Sequence, residues 1–253
     1  MLLIMKEKMI FWKLNVLVLL FTSFIYSQDK SKLTEVWSPI PAEVYSISDS
    51  TAPDDAVVLF DGSDLSKWNA KWSKKKSGWK INEDGSVTVV FDGSGGIETK
   101  ENFGSVQLHI EWKTSEDTSH KNQNRSNSGV FLQNRYEIQI LDSYKSPTYV
   151  NGQAGSVYKQ HIPLVNASRK PGEWQSYDII FDAPKFDSNG IKVKSGYFTV
   201  FHNGVLIHNH VEIYGTTENV GAPKNIAHGD GPISLQNHCC SQVSFRNIWV
   251  RKL

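Results

Sequence analysis

The sequence predicts an all-β protein, a jelly-roll β-sandwich made of two stacked antiparallel sheets. The first observation is strict alternation over 105–113, "SVQLHIEWK", which places the apolar side chains at 106, 108, 110 and 112 on one face. The second is the same period over 136–142, "YEIQILD", with Glu137 and Gln139 opposite the apolar side chains. The third is that no segment shows a long helical period. Many strands with one apolar and one polar face need a second sheet to cover the apolar face.

Further short alternating runs predict the remaining strands: "WKI", "SVTVVF", "SGVFLQ", "WQSYDIIFD", "GYFTVFHNGVLIHNHV", "GPISLQ" and "QVSFRNIWVRK". Asn203–Gly204 in "HNGV" predicts a tight hairpin, because both residues accept the positive φ angles of a primed turn. Two long polar loops, 114–127 and 212–230, are expected to carry function. The polar faces of the strands near 107–113 and 133–139 are expected to line one concave groove.

The N-terminal residues predict export. A basic start and a short apolar run, "LNVLVLLFTSFIYS", precede the polar "QDKSK", which is the order of a signal peptide over residues 1–27. The apolar run is too short for a membrane span. Residues 28–55 then form a polar leader that wraps the domain, and 56–253 form the β-sandwich. We expect a periplasmic or secreted protein.

Charge and cysteine content exclude other classes. The net charge of +1 leaves no basic face for a nucleic-acid partner. Cys239 and Cys240 are the only cysteines and are adjacent, which excludes a disulfide framework and disfavours a zinc–thiolate site. We expect them to be small, partly buried residues at the start of a strand.

The strand around Glu137 resembles the carboxylate strand of sugar-cleaving enzymes, but it lacks the second carboxylate. Retaining glycosidases need two carboxyl groups about 5–5.5 Å apart. Here Glu137 shares its face with Gln139 and Leu141, neither of which is a proton donor or nucleophile. Asp142 is expected on the opposite face.

The polar residues around Glu137 suit either hydrogen bonding to a polyol or proton transfer by a single base. Gln133 and Arg135 lie on the same segment, and Gln236 and His238 lie on a distant strand. The alternative is that Glu137 is a solvated sheet residue paired with Arg135 or Lys113.

Histidines and tyrosines add weaker signals. His208 and His210 alternate on one strand and are a possible two-histidine metal face, so a divalent metal stays open although no spacing specifies one. Tyr144, Tyr149 and Tyr158 lie in the loop-rich middle of the chain, where their rings could stack on a sugar.

Five motifs resemble the 3-keto-disaccharide hydrolase family over about residues 55–253. They are "VVLFDGSDLSKW", "NSGVFLQNRYEIQILDSY", "GQAGSVYKQHIPLVNASRKPGEWQSYDIIFDAPKF", "TVFHNGVLIHNH" and "GPISLQNHCCSQVSFRNIWV". The resemblance implies a concanavalin A-like jelly roll, secretion or periplasmic residence in bacteria, and action on glycosides already oxidised at C3 of the sugar.

This implied chemistry needs only one base. A ketone at C3 makes the C2 proton acidic, so a base removes it, the group at C1 leaves by β-elimination, and water adds to the enone. We expect Glu137 or His238 to be the base, with Lys159 as a further catalytic group. Arg135, Gln139 and Lys159 are expected to bind the 3-keto oxygen and nearby hydroxyls.

The remaining expected substrate contacts are Gln133, Gln236, Tyr158 and Asp142, the last of which orients a loop or the acid. The sequence departs from the family pattern at "NHCCS", where an acidic residue more often precedes the histidine and a glycine follows it. Asn237 therefore puts the orientation of His238, and any metal, in question.

Two alternatives stay open. A non-catalytic carbohydrate-binding module would show stacking aromatic residues along an open groove. A conventional glycosidase would need a second carboxylate, such as Asp142 or Glu111, within about 5–10 Å of Glu137.

Overall fold

The computed structural model describes residues 32–46, 51–71, 78–238, 240 and 242–253. The chain divides into two compact units, residues 1–43 and 44–253. In the first unit, the described residues 32–43 are exposed and form no strand. The predicted signal peptide lies outside the described residues, and among those described no helix is long and apolar enough to cross a membrane.

The second unit is built from strands, as predicted. In chain order they are β1 (Val57–Phe60), β2 (Trp68–Ala70), β3 (Lys80–Ile81), β4 (Val87–Thr88), β5 (Ile97–Thr99), β6 (Val106–Thr114), β7 (Ser128–Leu132), β8 (Tyr136–Ile140), β9 (Trp174–Asp182), β10 (Lys185–Phe186), β11 (Lys192–Lys194), β12 (Gly196–His202), β13 (Val205–Ile213), β14 (Ser234–Leu235) and β15 (Val243–Lys252). Short 3-10 turns cover Asn122–Asn124 and Val150–Gly152.

Two antiparallel sheets form the sandwich, which confirms the predicted all-β jelly roll. The large sheet has the order β13-β12-β9-β6-β15-β4-β3, with β1 beside β15. The small sheet has the order β2-β5-β14-β7-β8. Strands β10 and β11 pair only with each other among the described strands.

The core lies between the two sheets and follows the predicted alternation. The apolar side chains of β6 are fully buried, and those of β8 face them from the small sheet. Tyr177 on β9 donates a hydrogen bond of 2.8 Å from its hydroxyl to the carbonyl oxygen of Gln139. This bond ties the large sheet to β8 directly beneath the polar face of that strand.

Tight turns fix the strand register. Asn203 and Gly204 have φ angles of 53° and 77°, which confirms the predicted hairpin between β12 and β13. Gln133 and Asn134, with φ angles of 53° and 58°, form the equivalent turn between β7 and β8. This turn sets Phe131 opposite Glu137 and Gly129 opposite Gln139.

The expected single groove between two polar strand faces is wrong. The polar residues of β6 lie on the outer face of the large sheet, whereas those of β8 lie on the outer face of the small sheet, because both strands direct their apolar residues into the shared core. On β6, His109 contacts Asp178 at 2.6 Å, and Glu111 contacts Arg246 at 2.6 Å.

The His109 network should make stability depend on pH. Burial lowers the pKa of His109, but the contacts with Asp178 and Glu111 outweigh burial and raise it from 6.5 to about 9. Because the folded-state pKa exceeds the unfolded value, this stabilisation is complete below pH 6.5 and is lost as the pH rises through about 9. We expect the His109→Gln substitution to lower the free energy of unfolding at both pH values. The loss should be about 2 kcal/mol larger at pH 6 than at pH 10.

Urea unfolding of both proteins at the two pH values measures this difference. A difference between the proteins that stays constant with pH would contradict the assignment.

The cysteine expectation is also corrected. Cys240 lies just before β15, but it is exposed and disulfide-bonded instead of partly buried. The only other cysteine of the chain is Cys239, which lies outside the described residues.

Candidate active site

A cavity of about 320 Å³ lies on the outer face of the small sheet. Its lining is mostly amide, hydroxyl and imidazole side chains around one carboxyl group. The lining residues are Asn127, Phe131, Glu137, Gln139, Tyr158, Thr217, Asn219, Gln236 and His238.

Loops cover this face and turn it into a cavity. Asn127 ends the first of the two long polar loops, and Thr217 and Asn219 belong to the second, so both loops contribute to the cavity lining. A third segment, 155–158, pairs with the edge of β8, because the amide of Gln139 donates to the Ser156 carbonyl and the amide of Tyr158 donates to the Glu137 carbonyl. The edge of the small sheet is thereby closed.

Glu137 forms the floor of the cavity. It is only 4% exposed, and its backbone N–H donates to Thr217 Oγ1 at 3.0 Å. Burial raises the pKa of its carboxyl from 4.5 to about 8, with Lys71 opposing the rise. The alternative of a solvated Glu137 paired with Arg135 or Lys113 is therefore wrong. A carboxyl with this pKa gains and loses a proton near neutral pH.

Two β-strand neighbours position the Glu137 carboxylate. The side-chain amide nitrogen of Gln139 is assigned to the position 3.1 Å from Glu137 Oε1 and 3.0 Å from the Ser128 carbonyl oxygen, since both atoms accept hydrogen bonds. The second neighbour is Gly129, the cross-strand partner of Gln139, where a Cβ atom would be 2.3 Å from Glu137 Oε1. Only glycine leaves room for the carboxylate at this position.

Lys71 is a site residue that the sequence did not reveal. It follows β2, and its Nζ donates to Ser234 Oγ at 3.0 Å and lies 5.1 Å from the centre of the Phe131 ring. Phe131 is the cross-strand neighbour of Glu137, so Lys71 reaches across the small sheet toward the cavity floor. Burial lowers the pKa of Lys71, and the charges of Glu98 and Glu137 oppose this effect.

Replacing Lys71 with methionine should raise the pKa of Glu137 by about one unit, because a nearby positive charge favours the ionised carboxylate. The methionine keeps the apolar stem against Phe131. Carbon-detected NMR titration of the labelled Glu137 carboxyl measures the change directly. Lys67→Met is the control. Lys67 lies at the other end of β2, and its Nζ donates to the Val58 carbonyl on β1. An unchanged or lower pKa in Lys71→Met would contradict the role of this charge.

His238 and Gln236 form the side of the cavity beyond β7. Gln236 is fixed through its backbone, which donates to the Gly129 carbonyl and accepts from Ser128 Oγ. His238 Nδ1 is buried without a hydrogen-bond partner among the described residues. Asn237 points away and donates to the carbonyl oxygens of Val90 and Gly95. An aspartate here could not donate those bonds. Asn237 therefore ties the segment next to His238 to the backbone at Val90 and Gly95.

Gln133 and Arg135 lie outside the cavity lining, in the turn between β7 and β8. Gln133 is buried and donates from Nε2 to the Phe103 carbonyl. Arg135 donates from Nη1 to the Gln133 carbonyl and accepts the Thr217 amide at its own carbonyl. In the structure, these hydrogen bonds stabilise the turn and the loop that carries Thr217.

Asp142 also lies outside the lining. Its carboxylate contacts Arg125 at 2.6 Å, and its amide donates to the Arg125 carbonyl. The pair anchors the chain just before Asn127. Glu111 belongs to the outer face of the large sheet, so Glu137 is the only carboxylate among the described residues that line the cavity.

Lys159 sits beside the cavity mouth and not in its lining. It is exposed and donates from Nζ to the carbonyl and the side-chain oxygen of Asn219. Its Nζ lies 5.3 Å from the centre of the Tyr158 ring and 5.7 Å from that of Tyr149. Tyr158 lines the cavity, and Tyr149 adjoins it.

The two-histidine metal face that the sequence left open is not formed. The register between β12 and β13 shifts, and His210 has a φ angle of 50°. This irregularity buries His208, which contacts the Gly155 carbonyl, and leaves His210 exposed against Tyr197. Within the described ranges, no cluster of three or more His, Cys, Asp or Glu side chains could hold a metal ion.

Solved structures resemble the chain. A protein of Parabacteroides distasonis, named only as a candidate glycosyl hydrolase, is 47% identical over 88% of this chain and 96% of that chain, with a TM-score of 0.83. Another protein of that organism with the same description is 23% identical over 78% of this chain and 99% of that chain, with a TM-score of 0.55, and shows the fold alone. A comparison with curated proteins finds no match.

Fold, site and relatives together define a carbohydrate-active enzyme of the β-sandwich class. The sequence pattern described as the 3-keto-alpha-glucoside-1,2-lyase-like domain matches residues 55–251. The chain belongs to this family, as its motifs predicted.

Proposed function

We propose that this protein cleaves glycosides that carry a ketone at C3, by elimination across C2 and C1 followed by hydration. One observation carries the proposal: among the described residues, the cavity lining holds a single buried carboxyl group, Glu137, whose pKa is raised to about 8. Direct displacement at C1 needs two carboxyl groups, whereas elimination next to a ketone needs one base.

Glu137 is the proposed base. It removes the C2 proton, and the electron pair of the C2–H bond is delocalised onto the C3 oxygen as an enolate. When the enolate collapses, the C1–O bond breaks and its electron pair leaves with the departing oxygen. That oxygen takes the proton which Glu137 holds, so the charges balance and an enone with a C1–C2 double bond remains.

The second half of the reaction is the addition of water. A hydroxyl group adds at C1 and a proton returns to C2, which gives the free 3-keto sugar and net hydrolysis. Glu137, having lost its proton to the leaving group, can take one from this water. One carboxyl group therefore serves both halves.

The amide end of the cavity, defined by Asn127, Gln236 and His238, is the proposed site for the ketone. Gln236 and His238 lie across β7 from Glu137, Asn127 directly precedes β7, and His238 Nδ1 is buried with no partner in the described structure. An N–H at this position would stabilise the negative charge that develops on the enolate oxygen. Because the predicted signal peptide over 1–27 implies export, we propose that the reaction takes place in the periplasm or outside the cell.

Proton exchange at C2 tests the proposal. The purified protein is incubated in D2O with a 3-keto glucoside, and NMR follows the C2 proton and the released leaving group. The matching unoxidised glucoside is the control. We expect loss of the C2 proton and release of the leaving group from the keto compound alone.

The other outcomes are equally informative. Release from the unoxidised glucoside would overturn the proposal in favour of a conventional glycosidase. Binding of keto glycosides with neither exchange nor release would overturn it in favour of a carbohydrate-binding module.

A further inference from the structure

Two tyrosine side chains form an aromatic surface at the mouth of the cavity, and the proposed chemistry does not use it. Tyr149 and Tyr158 have ring centres 6.3 Å apart and stand nearly edge to face. Their hydroxyl groups contact each other at 2.6 Å, and the Tyr158 hydroxyl donates onward to Asn219 Oδ1. Both hydroxyl protons are used within the protein, so the tyrosine pair offers a ligand its rings and not hydrogen-bond donors. We call Tyr149 and Tyr158 the tyrosine pair.

Two further contacts hold the tyrosine pair in place. Gly152 forms a seat for Tyr149, because a Cβ atom on Gly152 would lie 1.9 Å from a carbon of that ring. Lys159 lies over both rings and is held by Asn219. Despite these contacts, Tyr149 stays 41% exposed. An aromatic ring that is both fixed and exposed binds another ring with little loss of conformational entropy.

The position of the tyrosine pair relative to Glu137 decides what it would bind. The segment that carries Tyr158 pairs with one side of β8, and β7 with the amide end lies on the other side. Glu137 stands between the two ends, as C2 of the sugar stands between C1 and C3. With the ketone at the amide end, the C1 substituent points toward the tyrosine pair.

The surroundings of the tyrosine pair support this orientation. Val150 and Val220, the chain neighbours of Tyr149 and Asn219, are both exposed. A leaving group that presents the flat face of a ring can stack on the exposed Tyr149 ring.

We propose that the tyrosine pair is the leaving-group subsite and that it selects glycosides whose C1 substituent is an aromatic ring. This inference rests on the proposed function, because it takes the substrate to be a 3-keto glycoside. It adds the chemical class of the leaving group and assigns Tyr149, Gly152 and Lys159 to substrate selection.

Two 3-keto glucosides with leaving groups of matched acidity test the subsite, one a phenol and the other a fluorinated branched alkanol. Matched acidity keeps the intrinsic elimination rates similar, so a difference in kcat/KM reports binding of the leaving group. We expect Tyr149→Ala to lower kcat/KM for the phenyl glycoside about tenfold. The alkyl glycoside should change less than about twofold.

Three variants sharpen the result. Tyr149→Phe keeps the ring and should retain most of the preference. Gly152→Ala displaces the ring and should behave like Tyr149→Ala. Tyr197→Ala removes a tyrosine that stacks on His210 away from the cavity and should change neither substrate. An equal loss on both glycosides, or no loss on either, would overturn the subsite.

Binding separates failure of the subsite from failure of the proposed function. In the Glu137→Gln protein, saturation-transfer NMR with the phenyl keto glucoside should show the strongest signals on the phenyl protons, and Tyr149→Ala should remove them. If no keto glycoside is turned over but these signals appear, the chemistry is wrong and the ring subsite stands. Turnover without phenyl signals would overturn the subsite alone.

Discussion

Replacing Glu137 with glutamine should lower the rate of C2 proton exchange and of leaving-group release at least about 100-fold, because the amide cannot accept the proton. The fold should survive the change. Folding favours the protonated carboxyl, whose pKa is raised from 4.5 to about 8, so the wild-type protein loses stability as the pH rises through that range. At pH 9 the glutamine variant should therefore unfold at a higher urea concentration than wild type.

Glu98→Gln is the matched control for this variant. Glu98 acts on the same lysine as Glu137, but it lies outside the cavity lining and accepts a hydrogen bond from Asn134 Nδ2. Its loss should change the exchange rate only a few-fold. If the two variants were equally impaired, or if Glu137→Gln kept full activity, Glu137 would not be the base.

The pH dependence of kcat/KM shows whether the ionised or the protonated form of Glu137 is the active one. As a base it must be ionised, so kcat/KM should rise with pH through about 8 and then level off. If Glu137 were instead a protonated donor with His238 as the base, the rate would fall through the same pH. Lys71→Met should move the rising limb to higher pH.

Replacing Gly129 with alanine should cost at least tenfold in kcat with little change in stability. The new Cβ would stand 2.3 Å from Glu137 Oε1, so the carboxylate has to move. The cavity beside it gives the carboxylate room to move, which keeps the stability cost small. A displacement of about 1 Å at the reacting group is enough to lower a rate by up to about 100-fold.

Gly229→Ala is the control for this substitution, because a Cβ at Gly229 would meet nothing within 4 Å. It should leave both activity and stability unchanged. Measurement of kcat together with the urea midpoint separates the two effects. A Gly129→Ala protein that is destabilised but fully active when folded would show that Gly129 serves packing and not the position of Glu137.

Most of the fold could be predicted because its signals are local. The alternation in β6 and β8 determines which side chains enter the core, since successive residues of a strand point to opposite faces. Asn203–Gly204 fixes a hairpin through its own backbone preferences. Where the local pattern is interrupted, prediction failed: the irregularity at His210 moves His208 to the opposite side of the strand.

The site was predictable only in part. Glu137, Gln139, Gln236, Tyr158 and His238 do line one cavity. Charge and hydrogen-bonding capacity also suggested Arg135, Asp142 and Lys159, but in the structure these residues bind the Gln133 carbonyl, Arg125 and Asn219. Sequence alone could not show that these partners occupy them.

The sequence by itself determined an all-β sandwich, the inward and outward faces of its strands, its two long polar loops and the carboxyl group at 137. Only the tertiary structure decided that the outer face of the small sheet becomes a cavity, that Lys71 and Gly129 lie beside Glu137, and that Tyr149 rests on Gly152. The physical reason is the range of the interactions. A side chain's face follows from its own strand, whereas its neighbours follow from the pairing and register of strands that are distant in the chain.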